Sequence, residues 1–316
     1  MRAIVFGGSG FIGSHIVEEL LRNNHCVINY DQVPSCIEHK VYDGRYIYIK
    51  GDIRYLNTSE QNLGTLFDSK PPDIVFILSA MANIEECEND PVLAMDTNVT
   101  SLAAILENVV AIKDREEYKI EKSHFGKAKI PKVVFASSMY AVSADHPYGI
   151  SKMAGERLLK WYAKKYGFSY VIFRYGTVYG PRAGNDNSIK KLIINSLKNK
   201  RVVHYATGNE RREYIHVRDA AKSTVLLGCS RVNQTVVITG NDSVTGERLC
   251  KMVTEILRDE LDSNIIFYNR GKPDGHYLIT PYRYNNDRVI KYVPNETVDF
   301  GHGLLEVAEE VNNRDE

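Results

Sequence analysis

Met1-Arg2-Ala3-Ile4-Val5-Phe6-Gly7-Gly8-Ser9-Gly10-Phe11-Ile12-Gly13-Ser14-His15-Ile16-Val17-Glu18-Glu19-Leu20-Leu21-Arg22 opens the chain and decides its fold. Arg2–Phe6 is a short apolar run, the pattern of a buried strand. Phe11–Arg22 carries Ile12, Ile16, Leu20 and Leu21 at helical spacing. Gly7, Gly10 and Gly13 lie at the turn between them. In such a turn one glycine reverses the chain, one lets the backbone approach a pyrophosphate, and one lets helix pack on strand. The helix start offers N–H groups and a positive dipole end to phosphate, so Phe11 and Ile12 belong to the same candidate site. His25–Tyr30 reads as a second strand, and Asp31 closes it. A carboxylate there can accept bonds from both adenosine ribose hydroxyls and would repel a 2′-phosphate. Strand, glycines, helix, strand and acid in this order point to NAD rather than NADP. The bland reading is a tight turn with a surface aspartate.

The same alternation continues outward. Tyr46–Ile49, Asp73–Leu78, Lys132–Ala136 and Tyr170–Phe173 read as strands. Ser59–Phe67, Val92–Ile112 and Gly149–Lys165 read as helices. Strands separated by such helices make βαβ units, hence an α/β, Rossmann-type, doubly wound parallel sheet. Lys113–Lys129 is charged with mixed signs, which suits a solvated loop or helix extension better than a nucleic-acid patch. After Pro181 the rhythm changes. Ile189–Leu197, Ala220–Gly228 and Gly246–Asp259 read as helices, with short strands at Val202–Tyr205, Tyr214–Val217 and Val236–Thr239. Residues 1–180 form the expected NAD-binding domain, which also receives segments near 214–240. Residues 181–316 form mainly a smaller, interleaved C-terminal substrate lobe. No Gly/Ser- or Pro-rich linker separates the two.

Composition narrows the class. Of 316 residues, 40 are Lys or Arg and 40 are Asp or Glu, so the formal net charge is zero. Such a chain has no global field to hold nucleic acid or an anionic membrane. Hydrophobic residues at 43% suit a globular protein and argue against disorder. The N-terminus lacks a secretory pattern and no apolar run is long enough to span a bilayer, so a cytoplasmic protein is expected. The 5 cysteines are scattered and the 9 histidines show no ligand spacing. Free thiols and no metal site follow. Tyrosine is in excess, 20 against 10 Phe and 1 Trp, which suits half-wet surfaces such as a polar cleft.

Tyr148-Gly149-Ile150-Ser151-Lys152 places Tyr148 and Lys152 one helical turn apart on one face. A free phenol titrates near ~10. A neighbouring ammonium favours the phenolate and a positively charged nicotinamide would assist, so the pair suits acid–base chemistry near neutral pH. A surface Tyr–Lys pair is the bland reading. Ser137-Ser138 ends the preceding strand, where open α/β sheets bind ligands, and a hydroxyl there can bond a reacting oxygen. A serine pair capping a strand end is its bland counterpart.

With these residues in hand, the chain resembles the extended short-chain dehydrogenase/reductases, specifically the sugar-nucleotide epimerase/dehydratase group. The resemblance rests on Gly7–Gly13, Asp31, Gly51-Asp52-Ile53, Ser137-Ser138, Tyr148–Lys152, Arg174–Arg182 and Arg212–Asp219. It implies Ser138, Tyr148 and Lys152 as the catalytic set. It implies that Asp52 and Ile53 border the adenine, that Leu78, Ala80 and Ala82 line the cofactor with Asn98 nearby, and that Tyr148 and Lys152 also bind the cofactor. It implies that Ser138, Tyr148, Thr177, Arg182 and Arg212 contact a nucleotide-diphosphate sugar. Hydride removal from sugar C4, a grip on the diphosphate by the second lobe, and a homodimer or higher homo-oligomer built on Val92–Ile112 and Gly149–Lys165 are implied as well.

Departures narrow the chemistry. Met139-Tyr140 follow Ser138 where dehydratases of the group carry Asp-Glu, and the glutamate of the decarboxylases is absent too. Epimerisation, net dehydrogenation and keto reduction remain, with 4-epimerisation first and a 4-dehydrogenase second. Ser138 and Tyr148 are only 10 residues apart, so a loop that normally borders the sugar is cut back. Ser137 and Ser138 both stay open as the functional serine, and Thr177 stands where the group has a substrate-binding Asn. His216 reads as structural and Cys87 as a helix-start residue. Tyr277, Tyr282 and Tyr284, with Arg283, read as packing. A non-catalytic NAD(H)-binding regulator is the competing class, and a structural scaffold is the third. The joint presence of Ser138, Tyr148 and Lys152 argues against the regulator, and a scaffold leaves the glycine turn unexplained.

Overall fold

The computed structural model describes residues 1–37, 44–56, 71–112, 130–143, 145–241, 243–258, 265–267, 280 and 289–313. The expected Ser59–Phe67 helix, the charged 113–129 segment and Tyr277, Tyr282, Arg283 and Tyr284 fall outside them.

The chain divides into two compact units, Met1–Arg174 with Thr224–Val236, and Tyr175–Ser223 with Val237–Glu316. In the first, β1 (Arg2–Phe6), β2 (Cys26–Asp31), β3 (Tyr46–Lys50), β4 (Ile74–Ile77), β5 (Lys132–Ser138) and β6 (Tyr170–Tyr175) lie side by side. Their order is β6-β5-β4-β1-β2-β3. β1 pairs in parallel with β2 and β4, β2 with β3, and β4 with β5. That order reverses between β1 and β4, which is where such sheets open a crevice for a dinucleotide. β1 and β4 are buried along almost their whole length, as strands covered on both faces must be.

Helix α1 (Phe11–Arg22) turns Ile16, Val17, Leu20 and Leu21 into the core. The long helix expected over Val92–Ile112 is broken. α2 (Ile84–Asn89) is followed by α3 (Pro91–Met95), capped by the Asp90 side chain with Pro91 at its first position. A π-turn over Asp96–Thr100 then leads into α4 (Ser101–Ala111). A π-turn inserts a residue into the helical ladder and re-aims side chains, a feature frequent at functional sites. Period counting cannot see it, because apolar residues on both sides keep the same face.

α5 (Pro147–Tyr166) starts two residues earlier than its apolar spacing indicates. His146 caps it, Nδ1 accepting from Gly149 N–H at 3.2 Å. It ends on Gly167 at φ 75, a left-handed turn that glycine adopts without strain. α5 runs very close to β5, since a Cβ on Gly155 would stand 2.7 Å from Phe135 Cζ.

The second unit holds α6 (Ser188–Asn199), β7 (Thr177–Tyr179), β8 (Val202–His204) and β9 (Arg211–His216). It also holds β11 (Ser243–Thr245), α8 (Gly246–Ile256), β12 (Ile265–Phe267), β13 (Val289–Tyr292) and α9 (Phe300–Asn312). α7 (Val217–Ser230) and β10 (Gln234–Ile238) each contain a point where the chain passes between units. β7 pairs with β9 in parallel and β11 with β9 antiparallel, while β8 and β12 form a separate parallel pair. The apolar faces of α6, α8 and α9 close a second core around Ile193, Leu249, Val253, Leu304 and Val307. Among the described residues, no helix is long and apolar enough to cross a membrane.

Candidate active site

At the glycine turn the three residues take separate tasks. Gly7 sits at φ 84, and a Cβ there would lie 2.5 Å from the Ser79 amide nitrogen. It is the residue that reverses the chain. A Cβ on Gly13 would come within 2.0 Å of Gly7 O, so Gly13 is what lets α1 approach β1. Gly10 caps α1 without any side-chain cap, and the first turn carries no acidic residue. The amides of that turn, including Phe11 and Ile12, are thus offered to an anion.

Above the turn lies a cleft of about 450 Å³ lined by Gly7, Gly10, Asp31, Asp52, Ile53, Leu78, Ala80 and Ala82, together with Tyr30, Arg54, Ser79, Met81 and Thr97. Eight residues expected to hold the cofactor are therefore brought together from four chain segments. Asp31 is anchored by the Ser9 N–H at 2.9 Å and the Val33 N–H at 3.0 Å. Each carboxylate oxygen keeps a lone pair for a ribose hydroxyl. A helix start without a side-chain cap and a close glycine approach fit a dinucleotide's diphosphate, and the oriented carboxylate fits its ribose hydroxyls.

Asn98, which the resemblance places near the cofactor, is held by its neighbours. Buried in the π-turn, its Oδ1 accepts from Met81 N–H at 2.8 Å. Its Nδ2 donates to Met81 O and to Ser151 Oγ, each at 2.9 Å. It ties the segment after β4 to α5. Arg54 escaped the sequence reading. It grips Asp52 through Nε and Nη2 and holds that carboxyl below its ordinary range. No local sequence signal marks a loop arginine for this.

Tyr148 and Lys152 share one face of α5, as their spacing requires. The Ser138 side chain lies beside the Tyr148 phenol and draws its titration down, a smaller effect than burial. Lys152 is buried, donates from Nζ to Ala136 O at 2.9 Å, and lies 5.8 Å from the Tyr148 ring centre. Ser137 turns elsewhere and donates to Glu156 Oε1 at 2.7 Å. The two serines thus have different partners. His146 stacks on Tyr148 with ring centres 6.2 Å apart, and Tyr140 meets it edge-on at 6.3 Å.

The titration differs from the sequence expectation. Burial pushes the Tyr148 phenol up to about 12, only partly offset by the Ser138 side chain. Burial also pulls Lys152 down to about 8, against the opposing pull of Cys87 and Glu156. Desolvation penalises both charged forms more than the pair favours them, so the protein alone keeps Tyr148 protonated at neutral pH. Cys87, within α2, is buried against this pair and its thiol donates to Met81 O at 3.4 Å.

Thr177 and Arg212 lie on the adjacent strands β7 and β9, in register at Thr177↔Tyr214. Arg182 is held at φ 68, its N–H donating to Glu310 Oε2 at 2.7 Å. His216 is buried and packs edge-on against Tyr179 at 5.3 Å, in keeping with a structural role. Among the described residues there is no cluster of metal-ligating side chains, and the described cysteines are all free.

A parallel strand order reversing at β1/β4, a glycine turn without a side-chain cap and a Ser–Tyr–Lys arrangement with Ser138 and Lys152 buried define a dinucleotide-binding oxidoreductase-type protein. The chain belongs to the NAD dependent epimerase/dehydratase family, whose model matches residues 3–240. A Methanocaldococcus jannaschii protein named "Putative UDP-glucose 4-epimerase" is 31% identical over 263 residues, covering 77% of this chain and 79% of its own. The Thermotoga maritima UDP-glucose 4-epimerase, solved with UDP-glucose, superposes with a TM-score of 0.74 at 23% identity over 100% of both chains. The Bacillus cereus UDP-glucuronic acid 4-epimerase, solved with UDP-glucuronic acid and NAD, gives 0.72 at 23% identity, covering 99% of this chain and 100% of its own.

Proposed function

We propose that this protein is an NAD-dependent 4-epimerase of a nucleotide-diphosphate sugar, with UDP-hexoses the first class to test. The observation that carries the reading is Tyr148 with the Ser138 side chain beside it and Lys152 one turn along α5, in a unit that also carries the dinucleotide cleft. NAD, when bound, supplies a reversible hydride acceptor. Gly7, Gly10, Gly13, Phe11 and Ile12 hold its diphosphate and Asp31 its ribose. Asp52 and Ile53 border the adenine, Leu78, Ala80 and Ala82 line the rest, and Asn98 keeps that wall in place. Tyr148 takes the proton of the sugar C4 hydroxyl and later returns it, Ser138 bonds the reacting oxygen, and Lys152 favours the phenolate. Thr177, Arg182 and Arg212 bind the substrate's diphosphate side, which assigns the first unit to the cofactor and the second to the nucleotide.

The absence of Asp-Glu after Ser138 removes the acid needed to eliminate water, and the relatives named as 4-epimerases point the same way. Incubation with UDP-, GDP-, CDP- and dTDP-sugars, read by mass spectrometry, tests the reading. The expected product has unchanged mass and forms without NADH accumulating. A product lighter by two hydrogens identifies a 4-dehydrogenase instead. We further infer a cytoplasmic homodimer formed through α4 and α5, where Trp161 is exposed beside Lys165.

A further inference from the structure

Behind the reacting groups lies a buried ionic cluster that neither the mechanism nor the sequence reading used. Glu156, on α5 one turn beyond Lys152, is 3% exposed. Its Oε1 accepts from Ser137 Oγ at 2.7 Å and from Arg174 Nε at 2.7 Å. Its Oε2 accepts from Arg174 Nη2 at 2.7 Å. Lys160 Nζ stands 3.8 Å away. A carboxylate gripped in this two-pronged way has a fixed orientation, unlike a surface pair. Arg174 comes from β6, Ser137 from the end of β5 and Glu156 from α5, so one carboxylate joins three elements. The residue after Ser137 is Ser138, whose side chain lies beside Tyr148.

We propose that Glu156 is a positioning residue for this reaction: held by Arg174, it fixes through Ser137 the strand end that carries Ser138, and it supplies the counter-charge to Lys152. The proposal rests on the reading of Ser138, Tyr148 and Lys152 as the reacting groups. Two features of the geometry support it. First, neighbouring strand residues point to opposite sides, so tying Ser137 to α5 sets the direction in which Ser138 leaves the strand. Second, the groups facing Lys152 are Tyr148 and Glu156 on its own helix, the Cys87 thiol from α2, and the Phe135 ring and Ala136 carbonyl from β5. Glu156 is the carboxylate in that set, and its charge draws Lys152 back toward the protonated form. A buried ion pair with no such role would affect folding alone.

The test uses the NAD-loaded full chain. Ser137→Ala leaves the Glu156–Arg174 pair intact and removes its link to the strand end. It is expected to lower kcat about tenfold, with the sugar-nucleotide KM within about twofold and the melting temperature little changed. An unchanged kcat overturns the positioning role. Glu156→Gln leaves Arg174 unbalanced and carries a folding risk, so it is read by a measurement that does not need turnover. Lysine 13Cε NMR titration, with the Lys152 signal assigned by its loss in Lys152→Met, should show a lower midpoint in Glu156→Gln than in the wild type. An unchanged midpoint in the folded variant overturns the counter-charge. If Glu156→Gln does not fold, Glu156→Asp, which keeps the charge on a shorter stem, should retain the midpoint while losing kcat as Ser137→Ala does. Retained kcat in Glu156→Asp overturns the role. If the wild type turns over no sugar nucleotide, the reading of function fails, and the NMR titration still decides whether Glu156 governs Lys152.

Discussion

Tyr148 begins α5 with its phenol pushed up to about 12, while Lys152 one turn on is pulled down to about 8. Each shift records burial, and each makes the site depend on charge brought into it. Replacing Tyr148 by Phe removes the proton acceptor and leaves the cleft residues untouched. The expected outcome is a loss of about 10²–10⁴ in kcat with NAD affinity within about twofold, measured by steady-state kinetics and calorimetry. Turnover at the wild-type rate would refute the acid–base assignment. Lys152 also sets a stability signature. Its folded midpoint lies near 8 and its unfolded one near ~10.4. Between these values the unfolded chain binds the extra proton, so this group makes stability rise with pH across that window. Urea unfolding at several pH values should show this rise in the wild type and a flatter profile in Lys152→Met. Parallel profiles would place the Lys152 ammonium in water.

Elements carry these side chains only because backbones come very close. Gly13 brings α1 onto β1, and Gly155 brings α5 onto β5 beside Phe135. Gly155→Ala places a methyl where 2.7 Å separates it from Phe135 Cζ, so the ring or the helix must move. Overpacking of this kind costs about 1–3 kcal/mol, and a shift of α5 relative to β5 also parts Tyr148 from Ser138. Denaturant midpoint and kcat should both fall, and retention of either would mean that Phe135 simply rotates away. The π-turn over Asp96–Thr100 serves the same end, since it lets buried Asn98 face both Met81 and Ser151. Alternation and glycine spacing made the strands, α1 and α5 readable. The break in the Val92–Ile112 helix was not, because a π-turn keeps the apolar face continuous. The short strands β7 and β11 were missed because Thr177–Tyr179 and Ser243–Thr245 are set by pairing with β9, a partner distant in the chain.

For the molecule as a whole, zero net charge leaves the proposed diphosphate binding to local devices: the start of α1, which has no side-chain cap, and the arginines proposed to meet the substrate. In the proposed reading Asp31, its carboxylate oriented by Ser9 and Val33, discriminates against a 2′-phosphate. NAD at about a hundred times its Kd should stabilise the fold by about 2.7 kcal/mol, seen as a rise of several degrees in melting temperature. NADP at the same concentration should give far less, and Asp31→Ala should narrow the difference. Equal stabilisation by the two cofactors in the wild type would contradict the role of Asp31.

Local physics accounts for what the amino-acid order determined alone. A glycine turn between strand and helix, an acid at the end of the next strand, and a tyrosine and lysine four positions apart depend on backbone sterics and helical period. Both act within a few residues, so they are legible without a structure. Other features were decided by segments distant in the chain. Ser137 and Ser138 became distinct only when Glu156 from α5 and Arg174 from β6 claimed one of them. Asn98 became a brace through partners at Met81 and Ser151. Burial moves Tyr148 up and Lys152 down, which local spacing does not show, because desolvation depends on everything packed around a group. Only the tertiary structure sets that environment.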